Sequence, residues 1–117
     1  MRLAILIRSH PYRHRVARSE LDVALAAVAL DYPIEIFFEG AAILQLLVQR
    51  EPAAAGLPGG LRGWAALPEL GAVRIFAEQR WLERCEQRQL QLLLPAEPLS
   101  PDDLRRRWRQ CAQAIVL

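Results

Sequence analysis

Short apolar runs and stretches with helical spacing alternate along the chain. The apolar runs predict five strands, at residues 3–7, 34–38, 72–77, 91–94 and within 112–117. Apolar residues at helical spacing, or strong helix formers, predict helices at about residues 16–30, 41–48, 64–70, 78–88 and 100–110. Strands that alternate with helices indicate an α/β fold: one domain over residues 1–117, containing a five-stranded, mostly parallel sheet with helices on both faces.

Individual residues indicate several of these boundaries. Pro33 has no amide hydrogen and disfavours a helix in the residue before it, so the first long helix ends there. Gly40 gives the backbone freedom where the second strand becomes a helix. Ser100 is a favourable N-cap residue, and a proline and two acidic residues follow it in the first helical turn. The last helix therefore begins directly after this serine.

The stretch from Ile34 to Leu47 joins a buried strand to a helix that is apolar on nearly every side. Between residues 41 and 48, Gln45 alone is polar. A helix that is apolar all round must be buried on all sides, and a chain of 117 residues has few elements to cover it. A membrane is a poor cover, because the apolar run is about half of the roughly 20 residues that a spanning helix needs. We therefore predict an interface with a second protein, formed by Ala41, Ile43, Leu44, Leu46, Leu47 and Val48.

The composition narrows the class of protein. With 53% apolar and 24% charged residues it is typical of a globular protein, and a net charge of +2 is too small to indicate general nucleic-acid binding. Two cysteines without Cys-x-x-Cys spacing favour a reducing cytoplasm over a disulfide framework or a zinc site. We find no signal-peptide pattern, catalytic triad, paired-carboxylate site or dinucleotide fingerprint in the sequence. We therefore expect a cytoplasmic protein without a metal or a cofactor.

Two motifs carry a resemblance to a known family. They are Glu20-Leu-Asp-Val-Ala-Leu-Ala and Ile36-Phe-Phe-Glu-Gly-Ala-Ala-Ile-Leu-Gln-Leu-Leu47. They resemble the DsrE/DsrF-like family, and most closely its TusC/DsrF branch, in which an E-x-L-D-x-x-L-A helix precedes a strand of F-F-x-x-D-G-V-x-Q-L-L type. This chain has one residue fewer between Phe38 and Gly40, and no Asp before the glycine. The resemblance implies a DsrE-like fold with flavodoxin-like layering.

The same resemblance implies a subunit of a cytoplasmic sulfur-relay complex, which passes persulfide sulfur towards 2-thiolation of the tRNA wobble uridine. It implies TusB-like and TusD-like partners in a hetero-oligomer, expected to be a heterohexamer, with indirect contact to persulfide carriers and tRNA. The similar DsrEFH assembly of sulfur-oxidising bacteria handles sulfur instead. The sequence leaves the choice between these two pathways open.

The position of the family's relay cysteine decides the expected role of this chain. In the family that cysteine follows the third strand and opens the next helix, and the matching position here, within one residue, is Ala77. The two cysteines of the chain, Cys85 and Cys111, lie further on and are each expected to be small buried residues. The resemblance therefore implies a non-catalytic subunit. The alternative is a stand-alone or DsrEFH-like sulfur carrier that uses Cys85 or Cys111 as its thiol.

A basic segment at residues 8–18, predicted to be a loop after the first strand, is the other candidate site. It has no acidic residue, and its arginines are Arg8, Arg13, Arg15 and Arg18. It could contact tRNA phosphates, whose binding is salt-dependent, or an acidic partner. The alternative is a solvated loop whose arginines pair with acids elsewhere. His10 and His14 are four residues apart, but Pro11 argues against a helix that would align them on a metal ion.

Overall fold

Five parallel strands form one sheet in the computed structural model of the chain, which describes residues 2–9, 14–30, 33–48, 59–111 and 113–116. The strands are β1 (Leu3–Ile7), β2 (Ile34–Phe38), β3 (Val73–Glu78), β4 (Glu97–Leu99) and β5 (Gln113–Val116). Their order across the sheet is β4-β3-β2-β1-β5, and each neighbouring pair is parallel. The α/β fold with a five-stranded parallel sheet is therefore confirmed.

Helical segments connect the strands. The α-helices of the described residues are α1 (His14–Ala29), α2 (Leu67–Leu70), α3 (Gln79–Gln87) and α4 (Pro101–Arg109). Two 3₁₀ helices, η1 (Gly40–Leu46) and η2 (Gly59–Ala66), lie between β2 and α2. Helix α4 begins as predicted, since the Ser100 hydroxyl accepts a hydrogen bond from the Asp103 amide at 3.1 Å. Within the described ranges, no helix is long and apolar enough to cross a membrane.

Side chains of the central strands point alternately to the two faces of the sheet, and each face has its own core. On one face Ile5, Ile36 and Ile75 lie in register and pack with apolar side chains of α1, η1 and η2. On the other face the rings of Phe37 and Phe76 stack with centroids 5.1 Å apart, and α4 packs against them. All of β2 is buried, as expected for a central strand covered on both faces.

The fourth strand is not where the apolar pattern predicts it. The pattern predicts a strand at residues 91–94. Instead, Leu92 makes an isolated antiparallel bridge with Leu47, outside the sheet, and Leu94 is buried in the core. Strand β4 lies further along and pairs with β3 at the edge of the sheet. Pro98 is tolerated there, because an edge strand has one neighbour and the missing amide can face away from it. The apolar run covers the core instead of joining the sheet.

The apolar segment after β2 also differs from the prediction. The sequence predicts an α-helix over residues 41–48, whereas η1 is a 3₁₀ helix that ends at Leu46. Gly40 begins it at a φ of 57°, a left-handed conformation that favours glycine. After Leu46 the chain becomes extended, and the amide of Val48 donates to the carbonyl of Gln91 at 2.9 Å. This pairing ends the helix early.

Two further helix boundaries are corrected. Helix α1 begins at His14, about two residues earlier than predicted, so Arg15 and Arg18 belong to its backbone and not to a loop. No proline or glycine lies between residues 12 and 30, and nothing in the sequence opposes this earlier start. The helix predicted at residues 64–70 begins earlier as well, as η2, and continues as α2.

Candidate functional site

The carboxyl ends of β1, β2 and β3 meet at one edge of the sheet, which is where parallel α/β folds form their sites. Arg8 follows β1, Glu39 and Gly40 follow β2, and Glu78 is the last residue of β3. The carboxylate of Glu78 accepts a hydrogen bond from the amide of Gly40. The Nε atom of Arg8 lies 3.9 Å from a carboxylate oxygen of Glu39. Two acidic side chains therefore connect neighbouring strand ends at this edge.

Ala77, which stands where the family cysteine is expected, lies inside the protein. Its side chain is fully buried, and the residue pairs in register with Phe38. The next residue, Glu78, ends the strand and is the N-cap residue of α3. At this strand-to-helix junction the chain thus presents a methyl group and a carboxylate. Neither group can form a persulfide.

A buried polar network lies behind this edge. The Nε2 atom of Gln45, in η1, donates to the carbonyl of Ser9 at 2.7 Å and to the carboxylate of Glu20 at 3.0 Å. The Oε1 atom of Gln45 accepts from the indole Nε1 of Trp64 at 3.2 Å. Glu20 also accepts from the amide of Arg8 at 3.1 Å, and its side chain is fully buried. One glutamine therefore ties together the end of β1, helix α1, η1 and η2.

The two central members of this network belong to the motifs that resemble the family. Glu20 opens the first motif and Gln45 lies in the second. Neither was given a role from the sequence, although one signal was present: Gln45 is a polar residue inside an apolar run, and a buried polar side chain needs a hydrogen-bonding partner. In the structure both residues position the backbone around the strand ends.

The 3₁₀ geometry of η1 divides the predicted interface residues into two groups. Residues three apart share a face of a 3₁₀ helix, and Ile43 and Leu46 are both fully buried in the protein's own core. For these two the expectation of a partner surface is wrong, because the chain itself covers them. The other members are half-buried. We call them the η1 stripe: Ala41, Leu44, Leu47 and Val48.

Cys85 lies on the inner face of α3. Its side chain is 4% exposed and is part of the core. Burial raises the pKa of the Cys85 thiol above its usual range, and the positive charge of Arg88 offsets only part of that effect. A relay thiol must be both accessible and ionised. Cys85 is poorly suited on both counts.

Cys111 follows α4 and is half-buried. Its thiol lies 3.8 Å from the carbonyl oxygen of Arg107, to which it donates. Burial, and then the negative charge of Glu35, raise the pKa of the Cys111 thiol, while the charges of Arg2 and Arg107 oppose the rise without cancelling it. The protonated thiol is therefore favoured here as well.

The buried acid Glu35 joins β2 to the helix on the second face of the sheet. Its carboxylate accepts from Arg2 at 2.8 Å and from two nitrogens of Arg107 at 2.9 and 3.1 Å. Burial alone would raise the pKa of Glu35, but the hydrogen bonds and charges of Arg107 and Arg2 outweigh it and hold the pKa below the usual range. This pair was not predicted from the sequence. The sequence does hold one indication of such a pair: Glu35 lies within the apolar strand at residues 34–38, where a buried charge needs a partner.

Among the arginines of the predicted basic loop, the structure describes the side chain of Arg8. Arg8 follows β1, with its side chain about half exposed and near Glu39. Arg15 and Arg18 belong to α1, but their side chains are not among the described parts of the chain. Arg13 falls outside the described residues. In the part of the chain that the structure describes, no group of three or more His, Cys, Asp or Glu residues could hold a metal ion.

Comparisons with known proteins agree with the architecture. The family model described as the DsrE/DsrF-like family matches residues 1–117. Two relatives, each named "Protein TusC homolog", from Aliivibrio fischeri and Pseudomonas aeruginosa, are 30% identical over 115 residues and cover 98% of the chain. The chain covers 98% and 97% of these relatives. The crystal structure of ychN protein from E. coli matches with a TM-score of 0.74 and 14% identity, covering 100% of this chain and 99% of that one. At that identity the match shows the fold.

Proposed function

Because the chain belongs to the DsrE/DsrF-like family, we propose that it is a non-catalytic subunit of a cytoplasmic sulfur-relay complex. In this proposal it acts as one domain, at the TusC-like position beside TusB-like and TusD-like subunits in a heterohexamer. The complex takes sulfur from persulfide carriers and passes it towards 2-thiolation of the tRNA wobble uridine. The names of the two TusC homologues support the TusC-like position.

The chemistry of sulfur relay explains why the subunit is proposed to be non-catalytic. An acceptor thiolate attacks the outer sulfur of a donor persulfide, a new S–S bond forms, and the donor leaves as a thiolate. The acceptor therefore needs an accessible thiol with a low pKa. The observation that carries the proposal is the buried Ala77 at the strand-to-helix junction, followed by the hydrogen-bonded carboxylate of Glu78. The raised pKa values of Cys85 and Cys111 disfavour the alternative, a carrier that uses either thiol.

The η1 stripe provides the surface for a partner subunit. Its side chains are apolar and half-buried, and the buried face of η1 is fixed to the core through Ile43, Gln45 and Leu46. A partner that covers the stripe removes this remaining apolar surface from water, which favours association. The function of the chain is then to shape and hold the complex in which a partner's cysteine accepts sulfur.

Co-expression with the TusB-like and TusD-like chains of the same genome tests this role. The wild-type chain should elute with both partners on gel filtration. Leu47→Glu places a charge in the stripe, and burying an unpaired charge costs several kcal/mol, so this variant should elute alone. Leu30→Glu is the matched control, because Leu30 is 68% exposed and should tolerate the charge. A complex that survives Leu47→Glu would show that the stripe is not the interface.

A further inference from the structure

A groove between η1 and α3 has a basic rim and an apolar floor. Its volume is about 390 Å³, near the lower end of the roughly 300–1,000 Å³ typical of ligand pockets. The floor consists of Leu44, Trp81, Cys85 and Leu90, and the rim carries Arg84, Gln87 and Arg88. Leu90 is 41% exposed, so part of its apolar surface is open to solvent. The groove thus offers an apolar surface flanked by positive charge.

The two arginines of the rim have no acidic partner among the described residues. The ion pairs between described side chains involve other arginines, namely Arg2, Arg8, Arg74, Arg106 and Arg107. Arg84 and Arg88 are exposed, and Arg88, the C-cap residue of α3, lies one turn after Arg84, since its amide donates to the Arg84 carbonyl. No carboxylate lines the groove. A carboxylate brought by a partner would neutralise this rim.

We propose that this groove receives a segment of a partner subunit in which an apolar side chain is flanked by Asp or Glu. The inference rests on the proposed function, because Leu44 belongs both to the η1 stripe and to the groove floor. The apolar side chain fills the space above Leu44 and Leu90, and the flanking carboxylate meets Arg84 and Arg88. Complementary charges of this kind raise the association rate and select the partner.

The contacts of Trp81 favour a protein over RNA as the occupant. Trp81 packs against the core, and the guanidinium of Arg84 lies 4.9 Å from the centroid of its ring. Single-stranded RNA is usually held by bases that stack on accessible aromatic rings. The core and the guanidinium of Arg84 already contact the Trp81 ring, which leaves little of it for a base. The leucine floor offers no hydrogen bond to a base or phosphate, whereas it fits an apolar side chain.

The test measures the affinity of this chain for the co-purified TusB-like and TusD-like subunits over a series of salt concentrations. Arg84→Glu with Arg88→Glu should weaken binding at least about tenfold and flatten its salt dependence. Arg84→Gln with Arg88→Gln, which retains side-chain length, should weaken it less and in the same direction. The control is Arg105→Glu with Arg109→Glu, an equal charge change at two exposed positions of α4, which should leave affinity within about twofold.

The outcomes separate this inference from the proposed function. If wild type binds the partners and the groove variants bind as tightly as the α4 control, the groove assignment is wrong and the proposed function stands. If wild type does not bind the partners at all, the proposed function fails and the inference fails with it. If the groove variants lose affinity for labelled tRNA while partner affinity is unchanged, the occupant is RNA and the proposal is overturned.

Discussion

The amide of Gly40 donates a hydrogen bond to the carboxylate of Glu78, and this bond links the end of β2 to the end of β3. It occupies the junction at which the family resemblance places a reactive cysteine. The carboxylate also sits at the N-terminus of α3, where the helix dipole favours a negative charge. A position that suits a thiolate therefore holds a carboxylate with a structural role, which supports the proposal that a partner subunit supplies the reactive thiol.

Gln45→Leu should lower the free energy of unfolding by about 3 kcal/mol or more. The substitution leaves the Trp64 indole, the Ser9 carbonyl and part of the Glu20 carboxylate without their partner, and each buried unpaired group costs about 1–3 kcal/mol. Chemical denaturation measures the change. Gln87→Leu, at an exposed position, should stay within about 0.5 kcal/mol of wild type. Equal stability of the two variants would show that the network contributes little.

The ion pair of Glu35 with Arg107 should make the protein less stable in acid. The folded pKa of Glu35 lies below its ordinary value of 4.5, so the unfolded chain takes up a proton first as the pH falls. The stabilisation that the ion pair contributes is fully present above pH 4.5, and it is lost as the pH falls through the folded pKa of Glu35. Glu35→Gln should therefore lower stability at neutral pH and flatten the dependence of unfolding free energy on pH below 4.5.

Glu97→Gln provides the comparison for this experiment. Its hydrogen bond with Arg74 also lowers the pKa of Glu97, but the pair is exposed, and water screens exposed ion pairs. This variant should change the pH profile less than Glu35→Gln. If the two profiles changed equally, burial of Glu35 would not be the reason for its effect.

Replacing Arg13, Arg15 and Arg18 together by Ala tests whether the basic segment binds tRNA. Every arginine that binds a phosphate in the wild type should, once replaced, reduce the slope of log affinity against log salt by about 0.7–0.9. The measurement uses the assembled complex and labelled tRNA, and Arg105, Arg106 and Arg109 replaced together by Ala are the matched control. An unchanged slope would support a solvated segment instead.

The parts of the fold that the sequence predicts well are those with a strong local pattern. Strand β1 is an unbroken apolar run, β2 is apolar except for Glu35, and α4 has a serine cap that the structure confirms. The sequence predicts the fourth strand at the wrong place, because its pairing with β3 at the sheet edge is a long-range interaction. The strand that makes this pairing contains Pro98, whereas the more apolar run at residues 91–94 covers the core.

The candidate site was predicted less completely for a similar reason. The predicted interface assumed one helix buried on all sides, and the period of three in η1 places Ile43 and Leu46 in the chain's own core. The contacts of Glu20 with Gln45 and of Glu35 with Arg107 join residues 25 and 72 positions apart. Local patterns indicate that such buried polar residues need partners, but they do not identify them.

Sulfur loading of the reconstituted complex tests the central claim, that this chain does not carry the transferred sulfur. A cysteine desulfurase with ³⁵S-labelled cysteine loads the complex, and the wild-type chain is compared with the Cys85→Ser, Cys111→Ser double variant. We predict label on a partner subunit, no label on this chain, and equal transfer with the double variant. Label recovered on this chain, or loss of transfer in a double-variant complex that still assembles, would contradict the account.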